Sequence, residues 1–238
     1  MPVAIVRNLP VPSKERFGIT IESEFLMKLN CLILLGSLVL PAVAAGDDAP
    51  ESRLAYHIMR NGSQIGTSTI TIKTDAQATL VQIATHIEVK FAFVVLYRFD
   101  QTEDERWTSD GRLLALDAST NDNGAQHVIK ADACEGAMSV QTDGVTRKVG
   151  AETIPMSLWN STVLAERPAL IPQDGTVVPL KVVDRGADVL SIHGASTRAH
   201  HYQVTTTFPE DVWYDSNHRL IKLELTGRDG SLVLYQLV

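Results

Sequence analysis

The 238-residue chain is 45% hydrophobic and 21% charged, with 15 Gly, 10 Pro, 2 Cys and a formal net charge of −7. This is the composition of an ordinary globular protein and excludes disordered, collagenous and disulfide-scaffold classes. An acidic chain without a basic stripe lacks the electrostatic term that dominates nucleic-acid affinity, so no nucleic-acid partner is expected.

In chain order, the first feature is Met27-Lys28-Leu29-Asn30, followed by an apolar run from Cys31 to Leu40, then Pro41 and the small residues Ala42 to Ala45. A short basic start, a core of about ten apolar residues and an A-x-A site are the three parts of a secretory signal peptide. Such a run falls short of the roughly 20 residues that span a bilayer, so no transmembrane anchor is expected in the mature chain. Residues 1–26 carry charges of both signs ahead of this signal, which suggests translation from Met27 and a start-site artefact before it. Removing residues 1–45 takes away four basic and three acidic residues and leaves 193 residues with net charge −8, one domain over 46–238. The expected location is periplasmic or secreted. Only Cys134 survives processing, so no internal disulfide is available, and Cys31 precedes the apolar run where a lipid-attachment cysteine would follow it.

Period-2 alternation dominates the mature chain. Arg53 to Arg60 alternates through Leu54, Tyr56 and Ile58, Asn61-Gly62 turns, and Ile65 to Lys73 returns. Asn-Gly is the strongest short hairpin signal, and Asp110-Gly111, Asp143-Gly144, Asp174-Gly175, Asp229-Gly230 and Asp215-Ser216-Asn217-His218 repeat its chemistry. From Leu80 to Trp107 there is neither Gly nor Pro, yet an unbroken strand of that length would reach roughly 90 Å. The chain must therefore reverse between Lys90 and Val94, giving strands at about 79–90 and 94–107.

Ile154 to Glu166 is the one helical candidate: Met156, Trp159 and Val163 share a face, Thr153 or Ser157 can cap it, and Pro168 stops it. An internal echo links Trp107 to Leu113 with Trp213 to Leu220, each an aromatic strand end, a turn and an Arg-Leu opening. The fold class predicted is mainly all-β, a curved antiparallel meander sheet or incomplete β-barrel with one short helix.

The run Val212-Trp213-Tyr214-Asp215, Arg219-Leu220 and Leu234-Tyr235-Gln236-Leu237, with Tyr56, Asn61-Gly62, Ile65-Gly66 and the Pro155 to Trp159 block, resembles bacterial secreted families known only as domains of unknown function. That resemblance implies a signal-bearing envelope protein with a curved antiparallel sheet. More distantly, Trp213 to Leu220 is similar to periplasmic lipoprotein carriers of the LolA and LolB type, which implies a half-barrel that holds acyl chains.

Catalytic signatures are weak. Gly62-Ser63-Gln64-Ile65-Gly66 has the wrong spacing for a nucleophile elbow and reads as a hairpin, and Cys134 sits among Asp132 and Glu135, which disfavour a thiolate. His200 and His201 point to opposite faces if on a strand, and His193 could meet one of them across a hairpin, but no metal motif supports a site. Carboxylates cluster at Asp100, Glu103, Asp104 and Glu105 and again at Glu210, Asp211 and Asp215. Glu103 and Glu105 share a strand face, and like charges there predict solvent exposure, with a weak calcium site as the sharper alternative.

The expected function is therefore non-enzymatic, without cofactor or metal. The preferred reading is an apolar or lipid-like small molecule held by Phe91, Phe93, Leu96, Tyr97, Trp107, Trp159, Trp213 and Tyr214. A second reading is an envelope structural or protein-interaction module that uses the Phe91 to Leu96 tip or a sheet edge. The third is a hydrolase with carboxylate chemistry at Glu103, Glu105 or Asp215.

Overall fold

The computed structural model describes residues 51–238 apart from His193 and Arg228, so the signal-like segment 27–45 and residues 1–26 lie outside the described residues. The described residues begin with eight antiparallel strands in succession. They are β1 (Glu51–Arg60), β2 (Ser63–Thr74), β3 (Ala78–Phe91), β4 (Val94–Thr108), β5 (Leu113–Asp122), β6 (Ala125–Cys134), β7 (Ala137–Thr142) and β8 (Val145–Gly150). A connection follows with three two-residue strands, β9 (Ile154–Pro155), β10 (Ala169–Leu170) and β11 (Val177–Val178). The meander then resumes with β12 (Lys181–Ile192), β13 (Ala195–Thr205), β14 (Pro209–Tyr214), β15 (Leu220–Thr226) and β16 (Leu232–Leu237).

Thirteen of these strands form one curved, open sheet in the order β12-β13-β14-β15-β16-β1-β2-β3-β4-β5-β6-β7-β8. Every neighbour but one is also the next strand in sequence. The exception is β1 against β16, which runs antiparallel from Tyr56 opposite Leu237 to Arg60 opposite Val233 and joins the two halves of the meander. The edges β8 and β12 are not hydrogen-bonded to each other, so the sheet is not closed into a barrel.

Turn chemistry explains the hairpins. Asn61-Gly62, Asn123-Gly124 and Asp143-Gly144 have positive φ at both positions, the conformation that a two-residue loop needs to match strand twist. The reversal expected between Lys90 and Val94 is present: β3 and β4 are joined by Ala92 and Phe93, with Ala92 at φ 53°. The internal echo is also structural. Thr108 N–H donates to Arg112 O and Gly111 N–H to Thr108 O, while Asp215 N–H donates to Arg219 O and His218 N–H to Asp215 O. These matched turns align Trp107 with Tyr214, and four residues earlier in the same phase they align Glu103 with Glu210. All four are buried.

The helix expected over 154–166 is corrected. It shrinks to one 3-10 turn, Ser161–Ala165, capped by Asn160, whose side chain accepts from Thr162 N–H at 3.0 Å. Pro155 lacks a backbone N–H, the Ser, Asn and Thr residues around the turn offer the backbone side-chain partners that compete with an α-helix, and Glu166 in the left-handed region ends it. The residues before it are irregular beyond the short strand Ile154–Pro155, with Leu158 in the left-handed region at φ 60°. Together with β9–β11 they lay Ile154, Met156, Leu158, Val163 and Leu170 into the same apolar cluster as Tyr56, Ile70, Phe99 and Leu116 of the main sheet. The core therefore lies between the inner face of the sheet and the connection 151–180.

Gly66 lies in β2 opposite Ile87, and a Cβ there would run into His86 O and come within 2.9 Å of Ile87 Cα. Gly66→Ala is expected to destabilise the protein by about 1–3 kcal/mol, because backbone must move to admit the methyl group. Urea unfolding of the two proteins measures it.

Candidate functional site

Alternation along β4 selects its inner-face residues. Tyr97, Phe99, Gln101, Glu103, Glu105 and Trp107 are all buried, while Arg98, Thr102, Asp104 and Arg106 are exposed. The acidic run 100–105 is thus split by the pleat. Asp100 faces outward, paired with His86 at 2.6 Å and Arg98 at 2.9 Å. The expectation that Glu103 and Glu105 are solvent-exposed is corrected: they are 1% and 2% exposed. Strand phase, set by Tyr97, Phe99 and Trp107, outweighs the like-charge repulsion that favoured solvent.

The two carboxylates have different surroundings. Glu105 Oε2 accepts from Trp107 Nε1 at 2.7 Å and from Trp159 Nε1 at 2.7 Å, and the indoles meet edge to face with centroids 6.1 Å apart. Glu105 therefore bridges the sheet and the connection that lies on it. Glu103 takes no hydrogen bond from a neighbouring N–H or O–H, and meets the Glu105 carboxyl, to which it can donate when protonated. Burial first, and then the charge of Glu105, hold the Glu103 carboxyl well above the usual carboxylate range and so favour its protonated form.

One step along β4, a polar row crosses the inner face through the register Ser68, Thr85, Gln101 and Thr120. Ser68 and Thr85 hydroxyls bond each other at 2.9 Å. From the connection, Gln173 Nε2 donates to Gln101 Oε1 at 3.3 Å, a second polar tie between connection and sheet. Glu210 is also fully buried. Burial and the neighbouring Glu210 charge hold the Tyr235 hydroxyl above its ordinary value. The sequence reading missed Gln101, Gln173 and Glu210 as buried polar groups. Carrying the aromatic phase of β4 through its polar residues would have found Gln101.

The aromatic residues proposed as a ligand site are divided among three places. Tyr97, Trp107, Trp159 and Tyr214 belong to the inner face, where Tyr214 OH donates to Leu158 O at 3.2 Å. Trp213 is in a separate cluster with Ala199 and Ile221. There it stacks on His201 at 4.2 Å, lies 4.0 Å from Lys222 Nζ and donates to Asp188 Oδ2 at 2.9 Å. Phe91, Phe93 and Leu96 stand at the β3–β4 tip, 74%, 102% and 52% exposed, beside the exposed Val94 and Val95.

The remaining candidates are separate. His200 pairs with Asp184 at 2.6 Å and His201 with Asp211 at 2.7 Å, each with its own carboxylate, and His193 lies outside the described residues. Among the described residues no three His, Cys, Asp or Glu side chains come together as a metal site. Asp215 is held in its turn by Arg219 Nε at 2.8 Å and by the N–H groups of Asn217 and Arg219. Cys134 is free and exposed. Two open grooves of about 390 Å³ each follow β2–β5, one lined by His86, Asp100 and Thr102 and the other by Gln82, Asp104 and Arg106.

Fold and site together define an open, β-barrel-like antiparallel protein with a buried polar strip. The chain belongs to the DUF6134 family, a domain of unknown function, whose family model matches residues 56–238. It is similar to the crystal structure of a beta-barrel-like protein of domain of unknown function DUF1849 from Brucella abortus, with a TM-score of 0.56 over 80% of this chain and 96% of that chain at 12% identity. At that identity the likeness is one of fold. No curated protein matches the chain.

A raised Glu103 fixes the sign of a pH effect. A carboxyl whose folded-state value lies above its unfolded value of 4.5 contributes stability that is complete below the unfolded value and is lost as pH rises through the folded one. Glu103→Gln removes that loss. It is expected to raise the melting midpoint by about 4 °C at alkaline pH, the shift that 1–2 kcal/mol produces in a domain of this size, and to change it little at acid pH. Thermal unfolding across pH checks both.

Proposed function

We propose that the chain acts outside the cytoplasm as a non-enzymatic envelope module that attaches to a lipid surface through the β3–β4 tip. The observation that carries this reading is the exposure of Phe91, Phe93, Val94, Val95 and Leu96 together at the end of the longest hairpin. A contiguous apolar patch of this kind marks an interaction site. The charges behind the tip are already paired, Lys90 with Glu88 at 2.5 Å and Arg98 with Asp100 at 2.9 Å, so the collar opposes neither approach to a bilayer nor partial burial in its interface. The signal-like segment 27–45 supports export, and the similarity of Trp213 to Leu220 to lipoprotein carriers supports a lipid-related role.

Burying a Phe side chain contributes about 1.5–3 kcal/mol. Phe93→Asp is therefore expected to weaken partition onto vesicles of phosphatidylethanolamine and phosphatidylglycerol at least tenfold while the melting midpoint stays unchanged. Flotation of the protein with such vesicles measures it, and equal flotation of both proteins would reject the tip as the contact.

A second reading is an apolar ligand between the inner face and the segment around Trp159, which is only half-buried and reaches the sheet through Glu105. Titration with a fluorescent fatty acid is then expected to saturate, and Trp159→Ala to weaken it. No saturation in the unmutated protein would remove this reading.

A further inference from the structure

The two acids on the inner face of β4 are a hydrogen-bonded unit with one proton between them. Protonated Glu103 donates to Glu105, and Glu105 Oε2 accepts from the indoles of Trp107 and Trp159 at 2.7 Å each. Three donors thus converge on one buried negative charge.

The surroundings accommodate no second charge. Across the ladder Glu103 faces Ile83 of β3 and Ala118 of β5, and Glu105 faces Val81 and Leu116. The connection brings Trp159 and Gln173, both uncharged, and the further group of β4 that acts on Glu103, Asp104, is another acid. Among the described residues no cation faces the pair. Loss of the Glu103 proton to solvent therefore leaves two like charges in an apolar wall, and buried carboxylates without a counter-charge are costly. Admission of water is the relief that needs least rearrangement.

Of the two indoles, Trp159 is the one free to move. Trp107 is a buried residue of β4, whereas Trp159 is half-buried and belongs to no strand. Its neighbours are anchored, Leu158 O by the Tyr214 hydroxyl at 3.2 Å and Asn160 by its bridge to Arg219, so the indole can swing out while Ile154, Met156 and Leu158 stay in the core. We propose that Glu103 and Glu105 form a proton-operated latch: while they share a proton, Trp159 is fastened over the inner face, and when that proton leaves, the indole releases and water reaches the acids. Burial first, and then the charge of Glu105, hold the Glu103 carboxyl above the usual carboxylate range, and buried glutamates titrate as high as about 8–9. The latch is therefore closed in acid and opens as pH rises. Opening bares the part of the inner face beneath Trp159 and leaves the sheet intact. It is independent of the lipid contact at the hairpin tip.

The test follows acrylamide quenching of tryptophan emission and far-ultraviolet circular dichroism from about pH 5 to about pH 9, below the ionisation of tyrosine. Quenching is expected to rise several-fold with the slope of a single proton while the dichroism stays unchanged, and Trp159→Phe is expected to remove the rise. Glu103→Gln is expected to keep quenching low across the whole range. Should that variant not fold, the infrared band of a protonated carboxyl in the unmutated protein serves instead, and it is expected to disappear over the same pH step. The latch is overturned by a flat quenching profile in the unmutated protein, by an equal rise in folded Glu103→Gln or in Trp159→Phe, by a carboxyl band that persists through the step, or by loss of dichroism together with the rise.

Discussion

The two-residue alternation of a very long hairpin is the constraint on which the rest depends. Strands β3 and β4, 14 and 15 residues long, hold one phase from Val81 to Ile87 and from Tyr97 to Trp107, and a slip of one position would turn every side chain to the opposite face. Because the aromatic residues Tyr97, Phe99 and Trp107 must face inward, Gln101, Glu103 and Glu105 are carried inward with them. The same length pushes Phe91, Phe93 and Leu96 beyond the neighbouring strands. The buried polar strip and the apolar tip are thus two results of one register.

The interior combines a conventional apolar core with groups that such a core does not favour. Phe99, Ile70, Leu116 and Ile129 pack as expected for the covered face of a sheet, with no exposure to solvent. Among them lie two glutamates of β4 and, at the matching place in the second half, Glu210. Apolar residues of similar volume would stabilise these positions. A sequence that keeps acids there departs from the local rule at a particular site, which is where functional constraint is expected to show.

Much of the architecture was legible because turn chemistry and period-2 patterning are local signals. Asn61-Gly62 and Asp143-Gly144 marked hairpins correctly, and the lack of Gly or Pro between Leu80 and Trp107 forced a reversal that Ala92 and Phe93 supply. The 154–166 segment was misread because Met156, Trp159 and Val163 have helical spacing, while their burial comes from an irregular chain pressed on the sheet. Glu103 and Glu105 were misjudged by treating charge as the arbiter of exposure when strand phase had already decided it. Gln173 gave no local signal, since its position depends on contact with Gln101, 72 residues away.

The pairing of β1 with β16 has a consequence for synthesis. Tyr56 meets Leu237, so as the chain is made from its N-terminus the seven strands after β1 can zip into a meander while one side of β1 waits. Until the last strand of the sheet arrives, that side is an unpaired edge, the feature most open to pairing with the wrong chain. Loss of β16 would leave β1 with that open edge permanently and divide the sheet into two separate ribbons, one beginning at β1 and the other ending at β15.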